Sequence, residues 1–315
     1  MKSDWIVPTL AALALLALPV LLTPYTQDLV VKIAIYAVFA LSLELLVGVT
    51  GLVSLGHAAF LGIGAYVTVL AAGDDGGSVA RVAPLAVLAA AAYALFVGAL
   101  SLRTKGVYFI MVTLAFAQMA YFVFHDTKLA GGSDGLFLYA KPSFSTLSLD
   151  DKRLMYYAVM VTLIATYALL ALLMRSRFGH ALAGIRVNEQ RMRAAGFATF
   201  GYKLAAFVIA GALAGLAGFL LAVKDGAVNP ELLSWHESGA VLLMLILGGI
   251  GSLRGAVIGA IAFTLLKELF QLEALLGPLA SHWQMTLGFT IIAFVALLPK
   301  GLIGLQSRFF GAPHG

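Results

Sequence analysis

Apolar residues run almost unbroken along this chain, and the polar positions fall between the runs. Ten segments can be drawn, at about 5–22, 29–47, 58–72, 82–102, 106–124, 154–174, 204–223, 237–250, 255–272 and 283–298. In a hydrocarbon layer the backbone must satisfy its own hydrogen bonds, and runs of this length do so as helices. A closed barrel would need shorter alternating strands, and none is visible. The pattern predicts an all-α integral membrane protein, a polytopic bundle of about ten spans (eight to ten). Met1–Leu22 is read as an uncleaved first span, because Thr23 and Pro24 follow it rather than a small-x-small cleavage site.

Two of the spans, 58–72 and 237–250, are short, and each adjoins a Gly-rich turn. The first turn holds Gly48, Gly51, Ser54, Gly56 and His57; the second holds Gly248, Gly249, Gly251, Ser252 and Gly255. Paired short, Gly-interrupted segments in corresponding positions point to a transport site made by broken helices. Gly-mediated helix packing is the competing reading, as Gly211-x-x-x-Gly215 and Gly251-x-x-x-Gly255-x-x-x-Gly259 suggest.

Composition agrees with the membrane class. The chain is 62% hydrophobic and 11% charged, and its mean hydropathy is +0.99. It reads as a single transmembrane domain over 1–315, with an external loop at 125–153 and no soluble domain. There are no cysteines, which excludes disulfides, thiol nucleophiles and cysteine–metal sites. The net charge of +5 is the ordinary product of basic cytoplasmic loops, not a sign of a nucleic-acid partner.

Charge also orients the chain. With both termini cytoplasmic, the inner side holds 12 basic residues: Lys2, Arg103, Lys105, Arg175, Arg177, Arg186, Arg191, Arg193, Lys203, Arg254, Lys300 and Arg308. The outer side holds 7: Lys32, Arg81, Lys128, Lys141, Lys152, Arg153 and Lys224. Half of the inner set lies in one stretch, 175–203, against the single acid Glu189. Asn188 is a good N-cap, Glu189 suits the first turn, and Gly196 is a good stop, which predicts a helix over 189–195. A second short helix is expected over 178–187. Six basic residues would be enough to set topology, but the capping and the small residues Ala181, Ala183 and Gly184 suit a docking surface.

Within the spans, Glu44 is an intramembrane acid, costly unless it faces the bundle interior, a water-filled path or a partner. His57 sits among small residues beside the first Gly turn, where a structural donor is the plainer role. Thr113 and Gln118 could line a path or bond across helices. Lys267 and Glu268 are adjacent, cannot face each other on a helix, and should each pair elsewhere or lie near a vestibule. The chain has no Gly-Lys dipeptide, so it holds no phosphate-binding loop of the G-x-x-x-x-G-K type, and no H-E-x-x-H.

Several stretches together resemble the branched-chain amino-acid ABC transporter permease family, its LivM-type subunit. They are Gly51–Tyr66 (GLVSLGHAAFLGIGAY), Gly131–Leu136 (GGSDGL), Gly179–Glu189 (GHALAGIRVNE) with Ala195-Gly196 and Tyr202-Lys203, Ser234–Gly239 (SWHESG), Gly248–Leu253 (GGIGSL) and Leu298–Leu302 (LPKGL). The resemblance implies a pore-forming subunit in the bacterial inner membrane, paired with a second, homologous permease. Two cytoplasmic ATPase subunits and an external solute-binding protein would complete the importer, with lipid around it. It implies no catalytic residue, cofactor or metal. Stretch 175–203 would be the cytoplasmic coupling loop, with Gly179, Ala183, Ile185, Arg186, Asn188, Glu189 and Gly196 at the ATPase. Glu44, Gly51, Ser54, His57, Thr113, Gln118, Gly249, Gly251 and Ser252 would belong to the translocation path. Relatives of this kind carry branched-chain or related small amino acids, and others urea, short amides or aromatic acids. A stand-alone secondary transporter, with an ion site at Glu44, is the alternative of a different class.

Overall fold

The computed structural model describes residues 23–144, 147–272, 277, 282–298 and 301–304. The first expected span, 5–22, and the extreme termini lie outside these residues. The remaining apolar segments are all helical. In order they are α1 (Pro24–Glu44), α2 (Ala58–Ala72), α3 (Val79–Ser101), α4 (Val107–Asp126), α5 (Lys152–Arg175), α6 (Arg177–Val187), α7 (Glu189–Ala194), α8 (Thr199–Asp225), α9 (Trp235–Gly248), α10 (Leu253–Gln271) and α11 (Trp283–Leu297).

Among the described residues, six helices are long and apolar enough to cross a membrane, or seven if a bent pair counts as one span. That pair is α9 and α10. The sequence drew them as two spans, and they meet at a 115° bend. With 14 residues, α9 is about 21 Å long at 1.5 Å per residue, short of a hydrocarbon core of about 30 Å. The 15-residue α2 is short in the same way.

The helices form an inner and an outer set. The most apolar 18-residue windows of α1, taken with its extension to Thr50, and of α8 are each 78% buried, whereas those of α3, α4 and α5 are 33%, 22% and 28% buried. A helix that is apolar all round and also buried belongs to the core; the others turn one side outward. Small residues bring the inner helices close to one another and to α3. Ala90 and Ala94 of α3 lie against Gly215 and Gly211 of α8, so that Gly-x-x-x-Gly pair is a packing stripe. Gly64 of α2 meets the Gly215 backbone, and Gly218 meets the Leu61 carbonyl.

The two ends of the bundle differ. At one end, residues 127–144 and 147–151 fold over the start of α1 and the α2–α3 turn. Ser143 N donates to Gly77 O (3.1 Å), and Gln27 Nε2 to Lys152 O (3.3 Å). Strand β1 (Leu136–Phe137) there pairs antiparallel with β4 (Ala227–Val228), and β2 (Ser143–Phe144) with β3 (Leu147–Ser148). At the other end lie the last turn of α1 and the pair α6–α7.

Candidate functional site

The basic stretch forms two helices, the second of them with the Asn188 cap and the Gly196 stop expected from sequence. Ser176 Oγ accepts from Gly179 N (3.4 Å) at the start of α6. Asn188 Oδ1 accepts from Arg191 N (2.9 Å) at the start of α7. Gly196, at φ 87°, follows α7 in the left-handed region that favours glycine. The result is a helical knuckle rather than a loose loop.

Glu189 braces it. Its Oε1 accepts from Arg193 Nη2 (2.7 Å), Lys203 Nζ (2.9 Å) and the Thr199 hydroxyl (3.2 Å), which ties α7 to the first turns of α8. Partial burial pushes the Glu189 carboxyl up. The hydrogen bonds and charge of Lys203, with Thr199 and Arg193, more than offset this and hold it below its ordinary value. A depressed carboxylate stabilises the fold above the unfolded value of about 4.3, and that contribution fades as pH falls through the lower folded value. A spin label at Ala194→Cys should therefore stay immobile at neutral pH and loosen below about pH 4. Glu189→Gln should leave it loose at every pH; an unchanged spectrum in that variant would remove the brace.

The coupling residues named from sequence divide by exposure. Gly179 and Ile185 are buried within the chain, so they seat the knuckle. Ala183 and Asn188 are exposed, and Val187, four residues on from Ala183, is 82% exposed. Arg186 is exposed as well, yet its Nη1 donates to the Gly48 carbonyl and its stem lies over Gly51.

The end of α1 is shaped to receive it. The helix widens into a π-helical segment, Leu45–Thr50, and Gly51 closes it at φ 74°. Such widened turns often mark functional sites. One turn before Gly48, Glu44 is fully buried, and its Oε1 accepts from Gly251 N (2.7 Å) in the α9–α10 turn. Its Oε2 has no hydrogen-bond partner among the described residues. Ser252 Oγ caps α10 by accepting from Gly255 N (2.9 Å). Gly249 and Gly251 hold φ values of 112° and 97°. Gly301 packs on the Gly249 backbone, and Gly248 on Gly255.

The other path residues form a second group. Ser54 is buried and accepts from Gly56 N (3.2 Å), while Gly56 rests on the Thr113 backbone. His57 is fully buried; its Nε2 lies 2.8 Å from Ser42 Oγ, and its ring stacks on Phe39 at 5.5 Å. Ser238 Oγ accepts from Ala58 N (2.9 Å), which joins α2 to α9. Gln118 is half-buried on α4 and joins neither group. Lys267 and Glu268 do pair elsewhere: Lys267 Nζ sits 5.3 Å from the Trp283 ring centre, and Glu268 accepts from the Tyr25 hydroxyl (2.5 Å). Ser42 was missed from sequence because a lone Ser in an apolar run carries no spacing signal; Ser238 stood in the SWHESG stretch but was given no role there.

Two Gly-rich turns, a buried acid and a basic knuckle at one end of an apolar bundle describe a membrane transporter component better than an enzyme. The sequence model of "Branched-chain amino acid transport system / permease component" matches residues 25–296. The chain belongs to this permease family. It is 28% identical to the high-affinity branched-chain amino acid transport system permease protein LivM of Escherichia coli K12, over 93% of this chain and 74% of the relative. It is 24% identical to LivH of the same organism, over 85% and 91% of the two lengths. BraD of Pseudomonas aeruginosa is 22% identical over 89% and 96%. No solved structure matches. The family is one of transport permeases, not of enzymes, and its match runs from the start of α1 almost to the end of α11.

Proposed function

We propose that the chain is the pore-forming permease subunit of an ATP-binding-cassette importer in the bacterial inner membrane. It moves branched-chain or related small amino acids inward, and separate ATPase subunits drive it. The observation that carries this reading is the knuckle: two capped helices, braced by Glu189, present Ala183 and Val187 outward at one end of an apolar bundle. An exposed apolar spot on a rigid helix, within a stretch rich in Arg, suits a cytoplasmic partner, and the excess of inner Lys and Arg supports that orientation. That LivM and LivH of one organism both resemble this chain supports a second, homologous permease beside it. An external solute-binding protein would deliver substrate to the end formed by 127–151. The pore has eight to ten spans, with α9 and α10 as its broken helix.

The test is uptake of labelled leucine into vesicles that hold the full complex. It should require ATP, both kinds of partner and no ion gradient; uptake driven by an ion gradient alone would favour a secondary transporter. The absence of cysteine makes the topology arm simple. A membrane-impermeant maleimide should reach Val187→Cys only from the cytoplasm and Tyr139→Cys only from outside. The reverse would invert the orientation.

A further inference from the structure

Arg186, Gly48, Glu44 and Gly251 form one continuous line from the knuckle to the break between α9 and α10. Arg186 Nη1 donates to the Gly48 carbonyl. Gly48 lies directly under the Glu44 carboxyl, so closely that a Cβ there would strike it. Glu44 Oε1 in turn holds the Gly251 N–H at 2.7 Å. Segments distant in sequence thus meet on the last turns of one buried helix.

A buried carboxylate usually has both oxygens satisfied, because an unpaired one carries its full desolvation cost. Here Oε1 is used and Oε2 is not, although Glu44 is fully buried. The guanidinium of Arg186 sits on the Gly48 carbonyl, four residues on from Glu44, and Gly48 carries no side chain against the Glu44 carboxyl. Residues four apart are neighbours on a helix surface. A shift of the knuckle by about one turn, roughly 5 Å, would carry the guanidinium onto Oε2.

We propose that Glu44 is the positioning residue through which the knuckle moves the α9–α10 turn, with Arg186 exchanging between the Gly48 carbonyl and the free Glu44 oxygen. This rests on the ATP-coupled reading above. With Arg186 on Gly48, the carboxylate holds the Gly251 N–H and keeps the turn closed on α1. With Arg186 on Oε2, one carboxylate holds the guanidinium and the Gly251 N–H at the same time, so movement of the knuckle is passed through Glu44 to the turn. The turn is built to respond: Gly249 and Gly251 occupy left-handed backbone, and Gly248, Gly255 and Gly301 place no side chain between the packed segments. Glu44 then acts as a linkage in the wall, not as a contact for the substrate.

The experiment uses the full reconstituted complex with spin labels on the cysteine-free chain. One pair joins Val187→Cys to Leu88→Cys on α3, and the other joins Ile250→Cys to the same reference; all three positions are exposed. With wild-type Glu44, a non-hydrolysable ATP analogue should change both distances. In Glu44→Leu the 187 pair should still respond and the 250 pair should not. Glu44→Gln keeps an acceptor for Gly251 N but loses the charge that draws Arg186. It should fold normally and take up about tenfold less substrate per ATP hydrolysed. A 250 pair that still follows nucleotide in Glu44→Leu would overturn the proposal, as would wild-type uptake per ATP in Glu44→Gln. Wild-type uptake that ignores ATP would instead overturn the ATP-coupled reading itself, so the two failures are distinct.

Discussion

Ala183→Arg should leave the protein inserted and abolish its transport. Ala183 is exposed on α6, beside the 82% exposed Val187, while Ala181, Leu182 and Ile185 of the same helix are buried against the bundle. The substitution therefore touches no packed contact within the chain. At a docked surface it would bury a charge with no partner, which costs about 3 kcal/mol or more. That corresponds to binding weakened more than about a hundredfold. Co-purification of the ATPase should be lost along with uptake, and the amount of folded permease should be unchanged. Gly201→Arg serves as the control for added charge on this side, because nothing lies within 4 Å of the place its Cβ would take. Wild-type co-purification together with wild-type uptake in Ala183→Arg would end the docking assignment.

Local signals were legible in the sequence, and remote ones were not. Capping depends on residues three or four apart, so Asn188 and Gly196 located α7 to within a residue. The Gly211-x-x-x-Gly215 stripe likewise has a fixed period, and it packs as such a stripe should. Arg186 shows the limit. Its place among basic residues suggested an outward contact, yet it donates to Gly48, 138 positions away. Which side of α6 faces the bundle is set by Leu182 and Ile185 and by the end of α1, not by charge. Glu44 shows the same limit, because its partner at Gly251 lies 207 positions away. The two Gly-rich turns looked alike from sequence, but they do different things: one follows a widened π segment, and the other bends a helix pair through 115°. Period and composition do not report such bends.

Gly218→Leu should prevent the chain from accumulating in folded form. Gly218 of α8 lies on the Leu61 carbonyl of α2, and one turn earlier Gly215 meets Gly64, so the two backbones touch along this crossing. A side chain at 218 has nothing flexible to displace, because its neighbour is a carbonyl of a buried helix. In lipid no hydrophobic gain offsets the separation of two helices, since close packing itself holds them together. Overpacking a core with a side chain commonly costs about 1–3 kcal/mol even where neighbours can shift. Here α2 and α8 would have to part, taking with them the Gly64–Gly215 contact, against a total stability of about 5–15 kcal/mol. Gly201→Leu makes the same chemical change in the same helix where no atom lies within 4 Å. In detergent extracts read by fluorescence-detected size exclusion, Gly201→Leu should give a wild-type monodisperse peak and Gly218→Leu should give almost none. Equal peaks would mean that α2 and α8 do not cross at backbone contact, and the inner pair of the fold would have to be redrawn.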